Sequence, residues 1–94
     1  MRPPVSVIVP IYNEVDNLRP LYKAITEALA DFDYEMLLIN DGSTDGSTQT
    51  LDALAEEDAR VSVIHFIRNY GQTAALTAGF RRARYEHIVT LDGD

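Results

Sequence analysis

At 94 residues the chain amounts to one domain at most, and a 46% hydrophobic content is that of a globular core rather than a disordered segment. Fifteen acidic against 8 basic residues give a formal net charge of −7, which argues against nucleic-acid binding, since that affinity comes from neutralising phosphates. With no cysteine, disulfides and thiolate metal sites are excluded, and no apolar stretch approaches the ~20 residues needed to span a bilayer.

Met1-Arg2-Pro3-Pro4 leads into the first strand-like run without a signal-peptide cleavage pattern, so a cytoplasmic location is expected. Val5–Ile11 is β-branched, with Ser6 as its only polar interruption before Pro10, the pattern of a strand buried on both faces. Pro10 has no N–H for a ladder and marks the strand's end. A helix is predicted next, capped near Asn13 with Glu14 and Asp16 in its first turn. Its apolar face is Leu18, Leu21, Tyr22, Ile25, Ala28 and Leu29, at spacings of three and four.

Asp31-Phe32-Asp33 breaks that pattern, and a second strand runs from Tyr34 to Asn40. Asp41-Gly42-Ser43-Thr44-Asp45-Gly46 is a turn sequence, dense in glycine and side-chain acceptors. The second helix starts between Thr44 and Ser47 and buries Leu51, Leu54 and Ala55. A third strand covers 61–67, and a turn capped by Gly71 leads to a third helix with Leu76, Phe80 and Ala83 on one face. Gly79 inside that helix costs ~1 kcal/mol relative to Ala, a cost that close helix–sheet packing would explain. Residues 87–91 form the fourth strand.

This β-α-β-α-β-α-β order predicts an α/β fold: a Rossmann-like parallel sheet of about four strands with flanking helices joined by right-handed crossovers. No repeat or linker divides it. Parallel strands would bring the polar clusters that follow them to one sheet edge, where ligands of open α/β sheets bind. Those clusters are Tyr12-Asn13-Glu14, Asn40-Asp41-Gly42-Ser43, Arg68-Asn69-Tyr70-Gly71 and Asp92-Gly93-Asp94.

The chemistry of that edge is open to several readings. No Gly-x-Gly-x-x-Gly follows the first strand and no P-loop occurs, so neither a nicotinamide enzyme nor a P-loop ATPase is expected. Asp41, Ser43, Asp45, Gly46 and Asp52 imitate a calcium loop. That loop requires a preceding helix, however, and 36–39 reads as strand, so turn and capping roles suit Ser43, Thr44 and Asp45. Asp41, at the strand's end, could accept from a ribose hydroxyl or a base N–H, and Tyr12 could stack on a nucleobase. For Tyr70, loop packing serves equally well.

Alternate residues of an extended segment point the same way, so Asp92 and Asp94 could converge on one site. Two carboxylates that close call for a cation, and hard oxygen ligands suit Mg²⁺ or Mn²⁺. His65 reads as a strand histidine with its bonds satisfied. Arg81, Arg82 and Arg84 complement a helix C-terminus, with contact to an anionic lipid or phosphate as the alternative.

Val7-Ile8-Val9-Pro10-Ile11-Tyr12-Asn13-Glu14, Asn40-Asp41-Gly42-Ser43-Thr44-Asp45-Gly46-Ser47 and Leu91-Asp92-Gly93-Asp94 together resemble the N-terminal half of family 2 inverting glycosyltransferases of GT-A fold. The segment from Arg68-Asn69-Tyr70-Gly71-Gln72 to Phe80 is similar to the polyprenyl-phosphate glycosyltransferases, which load a sugar onto undecaprenyl or dolichyl phosphate at the cytoplasmic face of the membrane.

The resemblance implies a nucleotide-diphosphate sugar donor, UDP- or GDP-linked, and a polyprenyl phosphate acceptor. It places Pro10, Tyr12, Asn13 and Glu14 around the nucleobase, Asp41 on base or ribose, and Ser43 on the nucleotide. Gly71, Gln72 and Ala75 border the pocket. Asp92 approaches the ribose or the metal, and Asp94 ligates Mg²⁺ or Mn²⁺. Asn40 stands where the family often has a second aspartate.

Residues 1–94 are then the nucleotide-sugar-binding part of a glycosyltransferase domain cut after Asp-Gly-Asp. They carry no assigned catalytic base, are inactive alone, and leave an apolar face prone to self-association. Another family 2 enzyme acting on a saccharide acceptor and a non-catalytic nucleotide-binding module are the alternatives. A receiver-like signalling domain would need an aspartate after its third strand, where Arg68-Asn69 stands.

Overall fold

The computed structural model describes residues 2–91. Strand β1 (Val5–Ile11) is followed by a 3-10 turn (Val15–Asn17), helix α1 (Leu18–Ala28) and strand β2 (Tyr34–Asn40). Helix α2 (Ser47–Glu57), strand β3 (Val61–His65), helix α3 (Gln72–Arg82) and strand β4 (His87–Thr90) complete the order.

All strand pairs are parallel and the sheet order is β3-β2-β1-β4. The chain steps from β1 to β3 in one direction and then doubles back to β4. Right-handed crossovers therefore put α1 and α2 on one face and α3 on the other. This is the order of a dinucleotide-type half-fold; the receiver-like order would place β1 between β2 and β3.

Period-2 alternation divides the core accordingly. Val5, Val7, Val9 and Ile11 of β1 join Met36 and Leu38 of β2 beneath Leu18, Ile25, Leu51 and Leu54. Ile8, Leu37 and Ile39 face α3, where Ala75 is buried. The fit of α3 explains Gly79, because a Cβ there would overlap the Ile8 side chain.

The same fit corrects one residue of the expected helix face: Leu76 and Ala83 pack against the core, but Phe80 does not. Only small residues, Ala75 and Gly79, are fully buried on α3, and Phe80 is 49% exposed. The helix turns its small side toward the sheet and pushes the large ring out.

Three boundaries also differ from expectation. β3 stops at His65, because its partner β2 stops at Asn40; Phe66 donates to Asn40 O as the last link (2.8 Å), and Ile67 is 92% exposed. Asn13 is no helix cap: its φ is +51°, the 3-10 turn intervenes, and α1 begins at Leu18, with Ala28 on its exposed side. β4 ends its ladder at Thr90, although the Leu91 N–H still donates to Ile8 O (2.9 Å).

Candidate functional site

Pro10 and Ile11 still pair with β2, and beyond them Asn13 turns the chain in the left-handed region. The loop so formed is bonded to the loop after β2. Asn13 N–H donates to Ser43 Oγ (3.0 Å) and Thr44 N–H to Asn13 Oδ1 (2.7 Å). Glu14 N–H donates to Ser47 Oγ (3.2 Å) and Val15 N–H to Asp45 Oδ2 (3.1 Å). Asp45 Oδ1 also takes the Ser47 hydroxyl (2.6 Å) and N–H (3.0 Å). The Ser47 hydroxyl leads the contacts that hold the Asp45 carboxyl below the usual carboxylate range. Asp45 is thus an acceptor for the backbone at the start of α2, and Asp52 faces His65 (2.7 Å), so the calcium-loop imitation does not hold.

Asp41 is 4% exposed and organises the next loop. Its carboxylate accepts from Tyr70 N–H (2.7 Å), Asn69 Nδ2 (2.9 Å) and Gly71 N–H (3.0 Å). Two oxygens offer about four acceptor positions, so a single position is left over. Gly42, at φ +72°, lies against the Arg68–Asn69 peptide, which a Cβ would overlap. The loops after β2 and β3 are therefore in backbone contact, and only glycine fits between them.

These loops enclose an open cleft of about 170 Å³ lined by Pro10, Ile11, Tyr12, Asp41, Asn69, Gly71 and Gln72. Of the residues singled out in the sequence, Pro10, Tyr12, Asp41, Gly71 and Gln72 meet here. Asn13 and Ser43 are bonded to the loops and not to the cleft. Glu14 accepts from Asn17 Nδ2 (2.9 Å), and Ala75 is sealed in the core at 0% exposure. Ala75 seats α3 and cannot reach a ligand.

Tyr12 is 45% exposed on the cleft wall. Tyr70, edge-on to Phe66 at 5.7 Å and beneath the Arg68 guanidinium at 5.2 Å, packs its own loop. Ile11 and Asn69 are cleft residues the sequence reading passed over. The run Arg68-Asn69-Tyr70 held the signal for Asn69, since a polar side chain beside a strand end can serve the neighbouring loop. Asp92 and Asp94 lie outside the described residues.

Asn40, where an aspartate was expected from the resemblance, is 2% exposed. It donates Nδ2 to Thr48 Oγ1 (2.8 Å), contacts His65 Nδ1 (2.9 Å), and accepts Ser43 N–H at Oδ1 (3.1 Å). A carboxylate has no proton to give the first two, so the amide suits this position. Between α1 and β4 lies a second depression, almost wholly apolar, lined by Leu21, Ile25, Ala28, Leu29, Val89 and Leu91 among others. No helix among the described residues is long and apolar enough to cross a membrane.

The family model described as Glycosyl transferase family 2 matches residues 6–94. A relative named undecaprenyl-phosphate 4-deoxy-4-formamido-L-arabinose transferase, from Pseudomonas fluorescens, is 43% identical over an alignment of 93 positions that covers 96% of this chain and 27% of that protein. The mannosyltransferase PcManGT from Pyrobaculum calidifontis, solved with GDP-Man and Mn²⁺, superposes with a TM-score of 0.85 at 28% identity, covering 100% of this chain and 28% of its own. S. aureus TarS 1-349 in complex with UDP gives 0.81 at 26% identity, covering 96% and 27%. The chain thus spans little more than a quarter of the length of the proteins it matches.

Proposed function

The chain belongs to glycosyl transferase family 2, and on that premise we propose that it forms the donor-binding part of an enzyme transferring a sugar from a nucleoside-diphosphate sugar to a polyprenyl phosphate. The observation that carries this is the cleft at the carboxyl edge of a parallel sheet, where Tyr12, Asp41, Asn69, Gly71 and Gln72 converge. Tyr12 offers a half-exposed ring for the base, and Asp41 keeps one acceptor position for a base N–H or ribose hydroxyl. Names of relatives supply the acceptor class, and complexes with GDP-Man and with UDP leave both bases as candidate donors.

Asp92 and Asp94 are assigned to hold Mg²⁺ or Mn²⁺. The strand leading to them supports this, since Leu91 is bonded to Ile8 on β1, the strand that runs on to Pro10 and Tyr12 at the cleft. A divalent ion there supplies Lewis-acid stabilisation of the leaving diphosphate. The chain's own residues bind and orient the nucleotide; attack by the acceptor on the anomeric carbon, with inversion, and its general base belong to segments beyond this chain. The working site is the cytoplasmic face of the membrane. The apolar depression beside β4 is the surface through which the 94-residue chain self-associates, which light scattering at rising concentration reads as mass above the monomer.

Calorimetric titration with UDP, GDP and their sugar conjugates, with and without Mn²⁺, tests the assignment. Binding that strengthens with Mn²⁺ and loses that gain in Asp94→Ala is expected. Metal-independent binding would favour a non-catalytic nucleotide module, and no binding of any nucleotide would overturn the reading.

A further inference from the structure

At the opposite end of the sheet from the cleft, Glu35 is 4% exposed on β2 and faces the α3 side together with Ser6. Ser6 Oγ donates to Glu35 Oε2 (2.6 Å) and accepts the Tyr85 N–H (3.3 Å). Arg84 donates its N–H to Glu35 Oε2 (2.6 Å) and its Nε to Oε1 (3.2 Å). Residues 84 and 85, just ahead of β4, are thus held on β1 and β2 together.

β4 needs such an anchor. It is an edge strand paired only to β1, from Val5↔His87 to Ile8↔Thr90. Its apolar residues fall on both faces: Ile88 packs toward α3 and Leu91 toward α1. A one-residue slip would still present apolar groups to each face, so the hydrophobic pattern selects register only weakly. The hydrogen bonds select it strongly. Slipping one way would bring the Ala83 N–H to Glu35, but that group is already bonded to Gly79 O (2.9 Å). Slipping either way would remove the Arg84 side chain from its carboxylate.

We propose that Glu35 sets the register of β4 and is thereby a positioning residue for the acidic segment that follows Leu91. A slip of one residue would shift β4 by about 3.3 Å along β1 and invert its faces, carrying whatever follows Leu91 out of line with the cleft at the end of β1. The consequence for metal rests on the functional reading above; the register itself does not.

The test is NMR on the 94-residue chain and its Glu35→Ala and Ser6→Ala variants, reading contacts between β1 and β4 and amide exchange. Expected in Glu35→Ala is loss of the single Val5–His87 pairing, with β4 amides exchanging about tenfold faster than in the parent while the β2–β3 ladder keeps its protection. The Mn²⁺-dependent gain in UDP or GDP affinity should vanish, with metal-free affinity unchanged. Ser6→Ala, which takes away the Tyr85 acceptor and one donor to Glu35, should show the same changes in smaller measure, and it decides the matter if Glu35→Ala does not fold.

A lower melting temperature with β4 pairing and Mn²⁺ gain both intact would overturn the proposal, because a merely structural carboxylate behaves that way. A parent chain that gains nothing from Mn²⁺ would sink the metal assignment and leave the register result to stand or fall on the NMR.

Discussion

A buried carboxylate flanks each end of β2, Glu35 near its start and Asp41 just past its finish, and the two differ in what they border. Glu35 accepts from a hydroxyl, a backbone N–H and a guanidinium on the α3 side of the sheet, at the end away from the cleft. Asp41 binds two backbone N–H groups and an amide, holds one acceptor position in reserve, and borders the cleft. The same device ties distant segments together at both edges, residues 84 and 85 to β1 and β2 at one and the loop after β3 to the end of β2 at the other. Each carboxylate accepts three hydrogen bonds and keeps about one acceptor position; what separates them is that only Asp41 borders the cleft between the strand-end loops.

Truncation should separate the two ends most sharply. Glu35→Ala leaves the Ser6 hydroxyl and the Arg84 N–H without their acceptor, and a buried donor left unsatisfied costs about 1–3 kcal/mol. Chemical denaturation should register that loss in full, whereas nucleotide affinity without metal should hold in the fraction that stays folded.

Asp41→Asn is the milder and opposite case. Its amide keeps one acceptor oxygen but turns an NH₂ toward the Asn69, Tyr70 and Gly71 donors, a mismatch of about 1–2 kcal/mol. Nucleotide affinity should fall about tenfold, since 1.4 kcal/mol is a factor of ten. An Asp41→Asn protein that binds as tightly as the parent would erase the distinction between the ends.

Acid titration gives the smallest effect. Burial pushes the Glu35 carboxyl up, but the Arg84 N–H, the Ser6 hydroxyl and the Arg84 guanidinium outweigh it and hold the group below the usual range. Asp58 is likewise lowered, first by the Arg60 side chain against opposing burial, with help from the Tyr22 hydroxyl. A carboxyl depressed on folding stabilises fully above its unfolded value, about 4.3 for glutamate, and loses that contribution as pH falls through the folded value. Melting temperatures followed from roughly pH 6 down to pH 3 should therefore drop less steeply in Glu35→Gln than in the parent.

Much of this molecule was legible in the residues. The β-branched runs located four strands, and their order predicted a parallel sheet whose polar edge holds the cleft. Gly79 was read as a mark of close packing, and the Ile8 side chain lies against it. Of the face Leu76, Phe80 and Ala83, the first and last pack on the core and Phe80 does not, because a period of 3.6 identifies a stripe but not how near the helix comes to the sheet, and Ala75 and Gly79 sit at the closest approach. β3 was drawn too long because the apolar character of Ile67 says nothing of where the neighbouring strand ends. The Glu35 joint was invisible for a different reason: its partners Ser6 and Arg84 lie far off in sequence, and an isolated glutamate in a strand carries no sign of them. Asn69 and Ile11 were missed because a cleft is a property of loops meeting, which no single segment displays.

The strand order also bears on the sequence in which the molecule can assemble. β1, β2 and β3 are neighbours joined by short helical crossovers, so they can pair as soon as each emerges during synthesis. β4 is the exception: its first residue must find Val5, laid down at the very beginning. Until then β1 carries a free edge with Ser6 and Glu35 already side by side, a half-built socket waiting for the backbone of Arg84 and Tyr85. The closing step pays the largest loop entropy in the fold, and a slowly exchanging β4 amide would be the last protection to appear in a refolding time course.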